Sequence, residues 1–290
     1  MDPRVIGAKG PERRSLRVPS LGAVAATAPA VLLVAAVIFL PLGLLFRMIF
    51  AAGGAEAVAR VLESGLHRTV MLRTVSLSTV VALICLFLGY PVALFLRVAD
   101  PPMRRALVLA LALPMTMSVL IRSYAWMAVL GRTGLVNTAL LGLGVVDGPF
   151  DLLFNRTSVT IGMVSIMLPI MIFPLYSVME QIDTSLLEAA RSAGASALRA
   201  IFSVVVPLSV PGVAAGVILV FILCLGFYVT PALLGGPREQ LLAQLIETDV
   251  RTLLDWQAAA VSAILLTVVA VVSLALTLRL FTAGHLLEEW

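Results

Sequence analysis

Six long apolar runs constrain the fold of this 290-residue chain more than any other feature of its sequence. A helix needs about 20 apolar residues to cross the roughly 30 Å hydrocarbon core of a bilayer. The mean hydropathy is +1.08, which is typical of integral membrane proteins. The sequence therefore predicts an all-α integral membrane protein with six transmembrane helices. The expected spans are 21–46, 74–96, 106–130, 158–178, 204–227 and 256–280.

The segments outside the runs suggest a simple domain organisation. We expect a polar, basic cytoplasmic tail at 1–20, a membrane domain at 21–282 and a short cytoplasmic tail at 283–290. The first run lacks a small-x-small cleavage site at its end, so we interpret it as an uncleaved first span. Two short helices are expected outside the spans, on the membrane surface at 55–66 and in an outer loop at 136–143.

The distribution of positive charge favours cytoplasmic termini. Of the 20 Lys and Arg residues, 11 fall on the inner side of a six-span topology, 8 on the outer side and Arg122 within the third run. Cytoplasmic loops of membrane proteins carry an excess of these residues, so the stretch between the fourth and fifth runs should face the cytoplasm. Nucleic-acid binding is a poor interpretation, because the charges lie in short loops.

Little in the sequence indicates catalysis, and we expect no catalytic, cofactor-binding or metal-ligating residues. There is no glycine-rich GxxxxGKS/T loop, and Lys9 is the sole lysine, so this chain should not bind ATP through a P-loop. The two histidines, His67 and His285, lie outside the predicted spans and are interpreted as surface residues. Cys85 and Cys224 lie in different runs without metal-ligand spacing, so we expect small buried packing residues.

The last outer loop is acidic, because it holds Glu247, Asp249 and Asp255. An acidic mouth would attract cations to the membrane protein. A solvated loop or a docking surface would have the same composition, so both interpretations stay open.

One polar stretch between the fourth and fifth runs is the strongest candidate for a functional site. Good helix formers extend over 186–198 and predict a short helix there. Glu188 and Arg191 are three residues apart and can pair, and Gly194 permits a break or a positive φ. The small alanines at 189–190 would let another protein approach the helix backbone closely. The stretch is either a docking surface or an ordinary loop helix.

The spacing of this stretch resembles the EAA loop of ABC importer membrane subunits. That loop reads Glu-Ala-Ala, three residues, Gly, nine residues, then Ile-x-Leu-Pro, and here Val204 and Val206 replace its Ile and Leu. The resemblance implies a type I ABC importer permease fold, with a cytoplasmic coupling helix between spans 4 and 5 that sits in a cleft of an ATPase subunit. It assigns ATPase coupling to Glu188, Ala189, Ala190, Gly194, Ala195 and Pro207.

Polar and aromatic residues within the spans are candidates for a translocation path. A charge in lipid is costly unless it is paired or faces water, so Arg122 should face the bundle interior. It could line the path, or it could lock two helices by pairing with a carboxylate or backbone carbonyls. Tyr124 and Trp126 could line the path or mark the outer interface, and Tyr228 could form an outer gate or mark that interface.

Further motifs resemble the spermidine/putrescine-type permeases, in the same order along the chain. The similarity covers roughly 70–280, the expected core of the membrane domain. The branch that it resembles also includes importers of opines and other amine or amino-acid derivatives. The motifs are Leu120–Trp126, Leu168–Pro169, Pro174–Tyr176 and Pro231–Gly236.

This resemblance implies a permease subunit of an ATP-driven importer in a bacterial inner membrane, carrying a polyamine or a related amine or amino-acid derivative. The implied partners are membrane lipid, a second homologous permease, two ATPase subunits that bind ATP, and a periplasmic solute-binding protein. Arg122 would repel a polycation unless it is neutralised or faces away, so an opine, an amino-acid derivative or an anion is the alternative substrate. A secondary transporter would need several intramembrane ionisable residues, and a membrane enzyme would need paired catalytic groups; neither pattern is evident.

Overall fold

The computed structural model describes residues 21–50 and 53–286, and all regular secondary structure in these two ranges is helical. The predicted tail at 1–20 and residues 287–290 lie outside them. The helices are α1 (Leu21–Phe50), α2 (Gly54–Glu63), α3 (Gly65–Val98), α4 (Pro101–Thr116), α5 (Val119–Leu130), α6 (Leu135–Gly142), α7 (Arg156–Glu180), α8 (Thr184–Ser192), α9 (Ala197–Ala200), α10 (Val206–Leu208), α11 (Val210–Leu225), α12 (Val229–Leu234), α13 (Leu242–Arg251) and α14 (Trp256–Leu286). A π-helical turn at Ile201–Val205 joins α9 to α10, and a 3₁₀ turn at Pro237–Glu239 follows α12.

The chain divides into two compact units between Arg47 and Met48. The first unit contains most of α1, an apolar helix that includes Pro29 and Pro41. The second unit contains α2 to α14 and every candidate site residue. Helices are present where the two short ones were predicted, at 55–66 and 136–143, as α2 and α6.

Within the described residues, four continuous helices are long and apolar enough to cross a membrane: α1, α3, α7 and α14. Two further helical segments, 101–142 and 197–225, are each bent at a short break. Each is long enough to cross a membrane only if the parts on both sides of the break are counted together. The structure therefore has four to six candidate spans, and it matches the predicted six if each bent segment crosses once. Helix α14 continues to Leu286, past the predicted end of the sixth span.

The third apolar run is not one helix, as the sequence predicted for 106–130. It is divided into α4 and α5, and the α5–α6 segment is bent by 99° relative to α4. Pro114 lies in the last turn of α4 and has no amide hydrogen to continue the helix. The Ser118 hydroxyl then accepts a hydrogen bond from the Leu120 amide at 3.3 Å and begins α5 as a new helix.

The fifth apolar run is also bent, by 60° between α10 and α11. The predicted single span at 204–227 is therefore replaced by a helical segment that starts at Ala197, breaks at Ser209 and continues to Leu225. The Ser209 side chain is fully buried at the bend, where its hydroxyl lies 2.9 Å from the Tyr90 hydroxyl of α3. This hydrogen bond joins the bend to the core of the second unit.

The core of the second unit is formed where α3, α7 and α11 pack together. Cys85 and Cys224 are both fully buried there, which confirms the prediction of small packing residues. Gly216 lets α11 lie close to α7, because a Cβ at this position would be only 2.7 Å from the Met171 sulfur. Many large apolar side chains point outward instead, as expected for helices surrounded by lipid.

Candidate functional site

The polar stretch after α7 folds as two short helices rather than the single helix predicted at 186–198. Helix α8 begins at Thr184, because the Asp183 carboxylate accepts a hydrogen bond from the Ser185 amide at 2.9 Å. The helix ends at Ser192, and Gly194 has a φ of +88°, which confirms the predicted break. The Ser196 hydroxyl then accepts a hydrogen bond from the Arg199 amide at 3.4 Å and caps α9.

One face of α8 is exposed and the other packs on the core. Glu188, Ala189 and Gly194 are exposed, whereas Ala190 and Ala195 are half-buried. Leu187 packs against the α3–α7–α11 core on the inner face. A further position of the motif, Pro207, is exposed on α10.

The predicted ion pair of Glu188 with Arg191 is not among those formed in the described part of the chain. Both side chains are exposed on α8. The two opposite charges are therefore available to a partner molecule on a helix whose small alanines leave the backbone accessible.

Helix α8 is anchored at both ends. On its N-terminal side, Arg97 in the last turn of α3 donates a hydrogen bond to the Ile182 carbonyl at 2.9 Å. On its C-terminal side, α9 begins the bent segment that leads into α11, and Ala200 is buried there. A displacement of α8 would therefore act on α3, α7 and α11 together. Hydrogen bonds from the Ser185 amide and hydroxyl lower the pKa of Asp183 and favour its charged, capping form.

Arg122 is half-buried on α5, and its Nε and Nη1 atoms are buried without a hydrogen-bond acceptor among the residues the structure describes. Arg122 therefore does not join two helices by pairing with an acceptor in this part of the chain. Buried donors without an acceptor are unfavourable, which favours a partner for these two atoms outside the described residues.

The three aromatic candidates occupy different environments. Trp126 donates a hydrogen bond from its indole nitrogen to the Ser165 hydroxyl of α7 at 2.8 Å, so it points into the bundle. Tyr124 is 56% exposed and Tyr228 is 40% exposed. The Ser123 hydroxyl lies 2.9 Å from the Thr230 hydroxyl, which brings the segment that carries Arg122 beside the segment that carries Tyr228.

A contact between the side chains of His67 on α3 and Asp249 on α13 was not predicted from the sequence. His67 Nε2 lies 3.2 Å from an Asp249 carboxylate oxygen, and His67 Nδ1 lies 3.0 Å from the Ser64 hydroxyl. Asp249 is only 1% exposed, so the interpretation of this residue as part of a solvated loop or acidic mouth was wrong, as was a surface position for His67. Burial raises the pKa of Asp249, Asp255 raises it further, and the hydrogen bond with His67 opposes the shift.

Comparison with known proteins gives consistent matches. A family model described as "Binding-protein-dependent transport system inner membrane component" matches residues 85–283. The spermidine/putrescine transport system permease protein PotB of Salmonella typhimurium (strain SL1344) is 37% identical over 223 residues, which are 77% of this chain and 76% of that protein. Its namesake in Escherichia coli (strain K12) is 38% identical over 204 residues, 70% of this chain and 74% of that protein.

A chain of a solved structure has the same fold. It belongs to a bacterial alginate ABC transporter in complex with an alginate pentasaccharide-bound periplasmic protein. The TM-score is 0.72, and the match covers 87% of this chain and 91% of that chain. The sequences are only 19% identical, so this likeness concerns the fold alone.

Proposed function

Because this chain belongs to the family of inner membrane components of binding-protein-dependent transport systems, we propose that it is one of two permease subunits of an ATP-driven importer. The observation that carries the proposal is α8, whose outer face is exposed, small and charged, and whose ends are anchored in the bundle. Such a helix suits insertion into a cleft of an ATPase subunit. The coupling residues are those of the EAA-like motif: Glu188, Ala189, Ala190, Gly194, Ala195 and Pro207.

The anchors of α8 suggest how ATP would drive transport. Closure of an ATPase dimer on ATP would displace α8, because the helix would be held in the ATPase cleft. Arg97 and α7 would transmit that movement to the core, and α9 would transmit it to the bend at Ser209. This chain needs no ATP site for that role, so ATP would bind only to two partner ATPase subunits. The segment 183–200 would then face the cytoplasm, with both termini on the same side.

We propose a polyamine or a related amine or amino-acid derivative as the solute, supplied by a periplasmic binding protein. The names of the two relatives given above support a polyamine. Arg122 and Trp126, on adjacent turns of α5, together with Tyr124 and Tyr228, would line the path. An unneutralised Arg122 would repel a polycation, so we place the acceptor for its guanidinium on the second permease.

The coupling role can be tested by placing a charge at the half-buried Ala190 on α8 or at the exposed Gly194 just after it. We expect Ala190→Glu and Gly194→Asp to abolish uptake of labelled spermidine and co-purification of an ATPase with the tagged chain, because a new carboxylate would prevent close docking. The chain should still reach the membrane in normal amounts. The measurements are uptake, the ATPase-to-permease ratio after affinity purification, and membrane abundance by immunoblotting.

Gly144→Asp is the matched control for Gly194→Asp. Both glycines have a positive φ, +66° and +88°, and a Cβ at either would have no neighbour within 4 Å. The two variants therefore introduce the same side chain with similar backbone strain, but Gly144 follows α6 and lies outside the proposed docking surface. Equal loss of spermidine uptake in the two variants, or normal uptake in Gly194→Asp, would refute the coupling role of this segment.

A further inference from the structure

A small apolar cavity lies between α2, α3, α13 and α14, apart from the residues assigned to coupling and to the path. Its volume is about 150 Å³. An apolar cavity of this size remains dry and accepts an apolar ligand rather than water. Its apolar walls are formed by Val61, Leu62, Met71, Leu72, Leu242 and Leu265.

One polar side chain inside this cavity has no partner. The Ser262 side chain of α14 lines the cavity and is fully buried, and its hydroxyl makes no hydrogen bond to any described residue. His67 also lines the cavity, but its two ring nitrogens already contact Ser64 and Asp249. A buried hydroxyl without a partner is unfavourable, so Ser262 indicates a ligand that supplies a hydrogen-bond acceptor.

A positive charge lies at the mouth of the cavity. Arg68, in the first turn of α3, lines the cavity while its side chain is exposed, and it forms no ion pair within residues 53–286. A guanidinium is well suited to bind a phosphate. The cavity thus combines an apolar interior, one internal hydroxyl and a cationic entrance.

We propose that this cavity binds an acyl chain of an anionic phospholipid. The chain would occupy the apolar interior, an ester carbonyl would accept a hydrogen bond from Ser262, and the phosphate would contact Arg68. A phospholipid is the occupant whose chemistry matches all three features, and it surrounds an inner membrane component. The bound lipid would join the amphipathic α2 to α3 and α14. This site goes beyond the proposed transport function and does not depend on the identity of the solute.

The experiment uses the full-length chain, purified with whatever partners accompany it, and phosphatidylglycerol as the probe. Native mass spectrometry would count lipids that remain after extensive delipidation. We expect one retained phosphatidylglycerol per chain in the wild type and none in Met71→Trp, because the indole would fill the cavity. Leu66→Trp is the control, since Leu66 is 55% exposed nearby on α3 and does not line the cavity.

Two further variants keep the test decisive if Met71→Trp does not fold. Leu62→Trp enters the cavity from α2, where Leu62 is 51% exposed, so it disturbs packing less. Arg68→Gln should weaken phosphatidylglycerol retention about fivefold relative to the wild type, whereas Arg60→Gln, exposed on α2 outside the cavity, should leave it unchanged. Equal lipid counts in Leu62→Trp and Leu66→Trp, or equal retention of phosphatidylcholine and phosphatidylglycerol by the wild type, would overturn the proposal.

Discussion

At the scale of single residues, Arg122 is the side chain whose environment most favours a partner outside the described residues. Its Nε and Nη1 atoms are buried and lack an acceptor there. We expect Arg122→Met to reduce recovery of the second permease with the tagged chain, because the acceptor on that subunit would be left buried and unpaired. Loss of one member of a buried pair costs about 3–5 kcal/mol. Arg122→Lys should restore part of the recovery.

The measurement is the molar ratio of the two permeases after purification, determined by quantitative mass spectrometry. Ile121→Met serves as the control, because it introduces the same side chain at an adjacent, exposed position that is not assigned to the path. An Arg122→Met chain that assembles normally and transports at the wild-type rate would show that no acceptor on the second permease depends on this guanidinium.

The raised pKa of Asp249 predicts that the stability of the folded chain depends on pH. Its pKa is raised above the ordinary value of 3.8, chiefly by burial, so the folded chain holds the proton more tightly than the unfolded chain. The contribution of this carboxyl is therefore most favourable below pH 3.8 and declines as pH rises through the raised pKa. His67 from α3 opposes the shift, and Asp255, before α14, adds to it.

We expect the thermal midpoint of the wild type, measured relative to Asp249→Asn, to fall as pH increases above 3.8. The comparison removes the titration of all other carboxyl groups, because both chains share them. Parallel pH profiles for the two chains would contradict the assigned shift. If the thermal midpoint of the wild type instead rose relative to that of Asp249→Asn as pH increased, the contact with His67 would outweigh burial.

At the scale of helices, the contact between α3 and the turn before α8 should control coupling. Arg97→Met removes the hydrogen bond to the Ile182 carbonyl, a charge-assisted contact of about 1.5–3 kcal/mol. We expect the ATPase still to bind, because the exposed face of α8 is unchanged. Solute transported per ATP hydrolysed should fall, because α8 would move without displacing α3.

The measurement is uptake and ATP hydrolysis in the same proteoliposomes. Arg105→Met is the matched control, because Arg105 is exposed on α4 and its side chain has no hydrogen-bond or ion-pair partner in the described residues. A wild-type ratio of uptake to hydrolysis in Arg97→Met would exclude this contact as part of the transmission.

Hydropathy predicted the apolar runs that form one continuous helix better than the runs that are divided by a break. The fourth span was predicted at 158–178, and α7 covers Arg156–Glu180, where Asn155 and Ser158 form a capping box at the start of the helix. The third and fifth runs are also apolar but break at Met117–Ser118 and Ser209. These breaks depend on local competition between proline, serine hydroxyls and backbone amides, which an average over 20 residues conceals.

The candidate site was predicted only where its determinants are local in sequence. The positive φ at Gly194 follows from the residue type and its place after a helix. The contacts of Arg97 with Ile182 and of His67 with Asp249 join residues 85 and 182 positions apart. No spacing rule relates residues so distant, because their proximity is created by the packing of α3 against α7 and α13.

At the scale of the whole molecule, the proposed orientation predicts which loops are reached from each side of the membrane. Ser185 on α8 and Asp147 in the loop after α6 are both exposed. Cys85 and Cys224 are fully buried, so the wild-type chain should not react with a membrane-impermeant maleimide. We expect Asp147→Cys to be labelled in spheroplasts and Ser185→Cys to be labelled only in inverted vesicles stripped of the ATPase, which would otherwise cover α8.

The labelling separates the orientation from the coupling proposal. The Ser185→Cys variant loses the contact of the Ser185 hydroxyl with Asp183 but keeps the amide hydrogen bond that caps α8. Each variant serves as the control for the other, because both preparations contain the same chain with one accessible thiol. Labelling of Ser185→Cys in intact spheroplasts would place α8 on the outer side, where no ATPase could reach it, and would refute the coupling role even if uptake depended on Gly194.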